Sequence, residues 1–157
     1  MIYIFDTSTF ITLFEYFYTD SFPSLWSKYD ELIKQGKIIS VREVKNEINK
    51  KRSESRLTKW VKNHKKIFFT PEKEELDFVV EIFRVRHFQA LIRKKEQLEG
   101  TPVADPFVIA KAKVANACVV TEEIEKDNAA RIPNICKHFG IECLKLEGFM
   151  KRENWKF

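Results

Sequence analysis

The sequence predicts an α/β fold with a parallel sheet and helices on both of its faces. Short runs that are almost wholly apolar, such as residues 2–5 and 118–121, are typical of strands buried on both sides. Longer segments with apolar residues at helical spacing lie between these runs, and the two kinds of segment alternate along the chain. This alternation is typical of a parallel sheet covered by helices.

The first half of the chain begins with a strand at residues 2–5. A helix follows it, and Thr7 or Ser8 is expected to cap that helix. A second helix is expected to begin at Pro23 and to end before Gly36. Next come a strand at residues 37–41, a short helix around Val44 and Ile48, and a short strand or extended connection at residues 67–70.

The second half begins with a long helix at residues 72–98, interrupted near residues 86–87. The remaining elements are expected as a turn at residues 100–102, a helix at 104–115, a strand at 118–121, a charged loop at 122–131, a helix from Pro133 to Gly140 and a strand at 142–146. We find no internal repeat and expect a single domain over residues 1–157.

Composition indicates an ordinary globular protein of 157 residues, 44% hydrophobic and 32% charged. The three cysteines form no CxxC pair and are expected as small buried hydrophobic residues in a reducing, cytoplasmic setting. The N-terminus lacks the basic region and cleavage site of a signal peptide. No apolar run approaches the roughly 20 residues of a membrane span, so we expect a soluble protein without membrane contact.

Residues 42–66 contain ten Lys or Arg against three Glu. Clustered cations attract a polyanion, so this stretch is a candidate surface for binding one. The alternative is a solvated helix face. The side chains that we expect to contact such a polyanion, and RNA in particular if the chain is a ribonuclease, are Lys45, Lys50, Lys51, Arg52 and Arg56.

Acidic residues follow several of the predicted strands. Asp6 comes directly after the first strand, and Glu43 and Glu47 follow the second. Glu122 and Glu123 follow the strand at residues 118–121. Asp105 begins the helix before that strand. Because ligands of parallel α/β sheets bind at the carboxyl ends of the strands, we expect these acids to converge there.

Each acid also has a simpler interpretation. Asp6 and Asp105 could be helix caps, Glu47 an exposed helical residue, and Glu123 a solvated loop residue. A shared explanation is that Mg²⁺ or Mn²⁺, which prefers carboxylate oxygens, neutralises acids that would otherwise repel one another. Such an ion can drive hydrolysis of a phosphodiester. The sequence has no GxSxG, HExxH or P-loop motif for a competing chemistry.

Four stretches together resemble the PIN-domain nucleases, in particular the VapC-like toxins of toxin–antitoxin pairs. They are IFDTS at residues 4–8, ISVREVKNEI at 39–48, ADPFVIA at 104–110 and VVTEE at 119–123. The resemblance spans nearly the whole chain. It implies a three-layer α/β/α sandwich, with a parallel sheet of about five strands. It also implies Mg²⁺ or Mn²⁺ dependence and cleavage of single-stranded RNA.

The resemblance also assigns residues. Asp6, Glu47, Asp105 and Glu123 match the four catalytic, metal-binding acids, although the fourth is more often Asp in that family. Glu43 lies one helical turn before Glu47, so either of the two could reach the metal. Glu122 and Asp127 are alternatives to Glu123 as the fourth acid. The hydroxyl groups of Thr7, Ser8 and Thr121 are candidates to form hydrogen bonds with the acids or the phosphate.

Family resemblance finally suggests an antitoxin protein as partner, and a homodimer. The insert at residues 72–98 and the tail at 147–157 exceed a minimal toxin, which suggests a longer branch of the family. The alternative function is a non-catalytic RNA-binding module that keeps the fold and the basic surface. A phosphatase or receiver domain fits less well, because the sequence lacks the acidic pair expected before the first strand.

Overall fold

The computed structural model of the protein describes residues 1–51, 54–92 and 103–157. Its centre is a parallel sheet of five strands in the order β3-β2-β1-β4-β5. The strands are β1 at Tyr3–Phe5, β2 at Ile38–Val41, β3 at Phe68–Phe69, β4 at Cys118–Val120 and β5 at Cys143–Leu144. The predicted α/β fold with about five parallel strands is thus confirmed.

Helices occupy both faces of this sheet. They are α1 at Thr7–Tyr16, α2 at Pro23–Lys34, α3 at Arg42–Lys51, α4 at Arg56–Asn63, α5 at Lys73–Arg84, α6 at Asp105–Ala115, α7 at Ile132–Phe139 and α8 at Leu146–Arg152. Rings from α1, α2 and α8 surround Phe5 of β1 on one face. Helix α6 contacts β1, β2 and β4 and packs between α5 and α7 on the other face. The result is a three-layer sandwich.

The strands are short, but their side chains are almost fully buried in β1, β2 and β4. This burial explains why their sequences are apolar at nearly every position instead of alternating. Within the described ranges, no helix is long and apolar enough to cross a membrane.

Two predicted features of the helices need correction. Helix α1 begins at Thr7, so the N-cap position belongs to Asp6, and no side chain caps the helix there. The predicted cap at Thr7 or Ser8 is therefore wrong, because both hydroxyls bind acidic side chains instead. Ala104 holds the N-cap position of α6, so Asp105 is the first helical residue and not the cap.

The long helix predicted at residues 72–98 is interrupted, as expected. Helix α5 ends at Arg84, and a 3₁₀ turn follows at Arg86–Gln89. The predicted positions 93–98 and the predicted turn at 100–102 lie outside the described residues.

The last predicted strand, residues 142–146, is shorter than expected. Strand β5 ends at Leu144, and α8 begins at Leu146. The Glu122 carboxylate accepts a hydrogen bond from the Leu146 backbone N–H at 2.7 Å. This bond satisfies one of the free donors at the start of the helix, which explains why a helix begins here.

Candidate active site

Asp6 lies at the carboxyl end of β1, and its side chain points toward β4. Its Oδ2 atom accepts hydrogen bonds from Ser8 Oγ and Thr121 Oγ1, each at 2.9 Å. The side chain is buried, and it makes no capping bond to α1. The interpretation of Asp6 as a helix cap is therefore wrong. Hydroxyl groups of two separate segments hold its carboxylate instead.

Glu47 is one of the buried residues of α3 and connects three segments. Its Oε1 atom accepts a hydrogen bond from Thr7 Oγ1 at 3.1 Å, and its Oε2 atom accepts one from the backbone N–H of Ala104 at 2.6 Å. The interpretation of Glu47 as an exposed helical residue is wrong, because its exposed fraction is 4%. Glu47 therefore fixes the start of α6, where Asp105 lies.

Glu123 lies in the loop that follows β4. Its backbone N–H donates to Thr121 Oγ1 at 3.2 Å, and its carboxylate accepts from the backbone N–H of Ile132 at 2.8 Å. The same threonine hydroxyl thus supports both Asp6 and Glu123. This geometry places the start of α7 beside the carboxyl end of the sheet.

The other three predicted acids all influence the pKa of Asp6. Burial is the largest cause that raises the pKa of Asp6, from its ordinary value of 3.8 to about 7. The negative charges of Asp105 and Glu123 are the next causes, and Glu47 adds a smaller effect of the same sign. The hydrogen bond donated by Ser8 lowers this pKa but does not offset the repulsion. The charges of Asp105, Glu123 and Glu47 therefore all disfavour ionisation of Asp6.

The additional acidic candidates have other surroundings. Glu43 is buried in the first turn of α3, and its Oε2 atom pairs with Arg42 at 2.8 Å. Glu122 turns its carboxylate away, toward the start of α8, although its backbone N–H donates to Ser8 Oγ at 3.0 Å. Asp127 is exposed in the loop after β4. None of these three is among the main influences on the pKa of Asp6.

The chemistry of these donors suits a hard divalent cation. Within the part of the chain that the structure describes, no three acidic, histidine or cysteine side chains are grouped closely enough to hold a metal ion. Mg²⁺ is commonly bound by one or two carboxylates and keeps several waters. Asp6 and Asp105 are both buried at this edge, and Asp105 is the charged residue with the largest effect on the pKa of Asp6, so together they could hold such an ion.

The basic residues predicted to bind RNA divide into two groups. Lys51 lies at the end of α3, and its Nζ atom is 3.5 Å from Glu47 Oε1, so one cation reaches the acidic cluster. Lys45 is half-buried and Lys50 exposed on the same helix. Arg56 instead secures α4, because its guanidinium donates to the Phe14 carbonyl and to Thr19 and lies over the ring of Trp26. Arg52 lies outside the described residues.

Sequence reasoning missed two hydroxyl residues that shape this edge of the sheet. Ser40 Oγ donates to the Phe5 carbonyl at 2.6 Å, and Thr9 Oγ1 donates to the Val120 carbonyl at 2.8 Å. Both residues are fully buried and bind the end of a strand. A polar residue inside an otherwise apolar strand was the signal available for Ser40, whereas nothing in the local sequence singles out Thr9.

Comparison with known proteins gives one family and a distant structural likeness. Residues 3–157 match the family described as "Domain of unknown function (DUF4411)". None of the curated proteins matches the chain. The crystal structure of PAE2754 from Pyrobaculum aerophilum is similar at 18% identity and a TM-score of 0.41, over 89% of this chain and 97% of that one. Because the family match, over residues 3–157, covers nearly the whole sequence, the chain belongs to the DUF4411 family.

Proposed function

We propose that the chain is a metal-dependent endoribonuclease that cleaves single-stranded RNA with a PIN-like active site. The observation that carries the proposal is the environment of Asp6. This buried carboxylate caps no helix and is held by Ser8 and Thr121. Its burial and, after that, the negative charges of nearby acids raise its pKa to about 7. Such an arrangement is unfavourable for stability when the acids are ionised, and a bound cation would offset the cost.

Asp6 and Asp105 would hold one Mg²⁺ or Mn²⁺ ion. Such an ion supplies Lewis acidity, which lowers the pKa of water and neutralises charge on the phosphate. The Ser8 and Thr121 hydroxyls keep the Asp6 carboxylate in one orientation, because both donate to the same oxygen.

Glu47 and Glu123 have supporting roles in this proposal. The bond from the Ala104 N–H to Glu47 sets the position of the first turn of α6, and hence of Asp105. Glu123 holds the loop after β4 against the start of α7. Either carboxylate can orient the attacking water once the RNA is bound.

The RNA backbone would lie along α3. Lys51 is half-exposed and lies 3.5 Å from Glu47 Oε1, so it can exchange this partner for a phosphate. Lys45 and Lys50 lie on the same helix and would add contacts that position the RNA without reading its sequence.

In the same proposal the protein is a VapC-like toxin that is paired with an antitoxin and forms a homodimer in the cytoplasm. The support for a dimer is the end of α1 and the residues after it. Phe10 and Phe14 are buried in the core, whereas Tyr16 and Tyr18 are 66% and 60% exposed. Exposed aromatic residues are enriched in protein interfaces.

Incubation of the purified protein with an end-labelled single-stranded RNA tests the proposed activity. We expect cleavage in the presence of Mn²⁺ or Mg²⁺ and none in the presence of EDTA, because the carboxylates alone provide no Lewis acid. A duplex of the same sequence serves as the control substrate. Binding of the RNA without cleavage in any divalent metal would contradict the proposal and favour the non-catalytic RNA-binding module.

A further inference from the structure

A pocket of about 410 Å³ lies next to the acidic cluster, between the loop after β4, α7 and β5. Thr121 and Glu123 line it and also belong to the candidate active site, so the two sites share a wall. Its volume is in the range of about 300–1,000 Å³ that is usual for small-molecule sites. A group bound in this pocket would therefore lie directly beside the acids.

The lining of the pocket combines apolar walls with charged groups. Ile124, Pro133 and Leu144 provide apolar surface, and Ile124 is unusual in being 62% exposed. Lys137, Lys145 and Glu125 also line the pocket, and Lys137 forms an ion pair of 3.1 Å with Glu125. Apolar walls combined with polar groups are typical of sites that bind small molecules, in which the polar groups fix the orientation of the ligand.

The ion pair can change partners at little cost. The Lys137 side chain is 77% exposed and the Glu125 side chain 48% exposed, and ion pairs in such surroundings contribute little to stability. A phosphate group could therefore replace Glu125 as the partner of Lys137. The Glu125 carboxylate, which can only accept hydrogen bonds when ionised, would then be available for an amino group of a base.

We propose that this pocket binds one nucleotide of a single-stranded RNA and prefers a base with an exocyclic amino group, such as adenine or cytosine, over uracil. Bases of single-stranded RNA can be splayed out and recognised on their edges in this way. If the proposed function is correct, this nucleotide flanks the bond that is cleaved, because the pocket shares Thr121 and Glu123 with the acidic cluster. The binding itself does not depend on cleavage.

Titration of the metal-free protein with each nucleoside monophosphate, followed by NMR of the isoleucine and leucine methyl groups, tests the proposal. We expect AMP and CMP to shift the methyl signals of Ile124 and Leu144, and UMP to bind more weakly. Lys137→Ala should weaken the binding of all of them, roughly twofold to fivefold. Glu125→Gln should reduce the difference between AMP and UMP.

The matched control is Lys151→Ala, since Lys151 is 74% exposed and forms an ion pair with Glu147 but does not line the pocket. This variant should bind AMP as the wild type does. Absence of any methyl shift, or equal binding of AMP and UMP, would overturn the proposal even if the protein cleaves RNA. Selective shifts in a protein that does not cleave RNA would support the pocket while the proposed function fails.

Discussion

The variant Asp6→Asn is expected to lose cleavage of single-stranded RNA by roughly 10²–10³-fold, the usual effect of removing a principal electrostatic group from an active site. The amide can still accept the hydrogen bonds that Ser8 and Thr121 donate to Oδ2, so the local geometry should be retained. What is lost is the negative charge that would hold the metal. Cleavage rates at saturating Mn²⁺ measure the effect.

The same variant should be more stable than the wild type when metal is absent and the pH is mildly alkaline. An unfolded Asp ionises near its ordinary pKa of 3.8, whereas the folded Asp6 ionises at about 7. The stability of the wild type therefore falls as the pH rises between these values, and the full cost is present above the higher one. We expect Asn to recover about 2–4 kcal/mol there, and little near the lower value. Denaturant unfolding at several pH values measures this.

Glu122→Gln is the matched control for Asp6→Asn. It removes one negative charge at the same edge of the sheet, but the Glu122 carboxylate points to the start of α8. We expect nearly unchanged cleavage and no gain of stability at alkaline pH. Unchanged cleavage in Asp6→Asn itself, or equal losses in both variants, would contradict the assignment of Asp6 to the site.

The variant Glu47→Ala is expected to destabilise the protein by about 2–4 kcal/mol. The Ala104 N–H donates to this carboxylate at 2.6 Å, and Ala104 is fully buried. Without Glu47, this donor and the Thr7 hydroxyl lose their partner in the interior, which is more costly than the loss of an exposed bond. Thermal or denaturant unfolding measures the change.

Glu47→Gln separates the structural role of Glu47 from its charge. The amide oxygen can still accept from the Ala104 N–H, so we expect a loss of stability about half as large or less. If Glu47→Ala were as stable as the wild type, the bond to Ala104 would not hold the start of α6. Glu47 would then have no part in positioning Asp105.

Much of the fold follows from the sequence because the strands are buried on both faces. Their apolar runs, such as those of β1 and β4, are recognisable without any knowledge of their neighbours. The start of α8 could not be predicted, because it is not set by the local sequence. It depends on the Glu122 carboxylate, which comes from a segment 24 residues earlier in the chain.

Part of the geometry at this edge of the sheet also follows from the sequence. Topology alone places Asp6 and Glu123 together, because they follow adjacent parallel strands. Sequence could not decide between Glu43 and Glu47, which lie one turn apart on the same helix face. Contacts to distant residues distinguish them, since Glu47 bonds to Thr7 and Ala104, whereas Glu43 pairs with its neighbour in the chain.

We propose that the acids led by Asp6 lie together because a divalent cation binds there. Calorimetric titration of the metal-free protein with Mn²⁺ at neutral pH tests it most directly. We predict one binding event with release of protons, because Asp6 is partly protonated at that pH. Asp6→Asn should bind at least about tenfold more weakly, whereas Glu122→Gln should bind as the wild type does. Equal binding of Mn²⁺ by the wild type and Asp6→Asn, or no binding by the wild type, would contradict the claim.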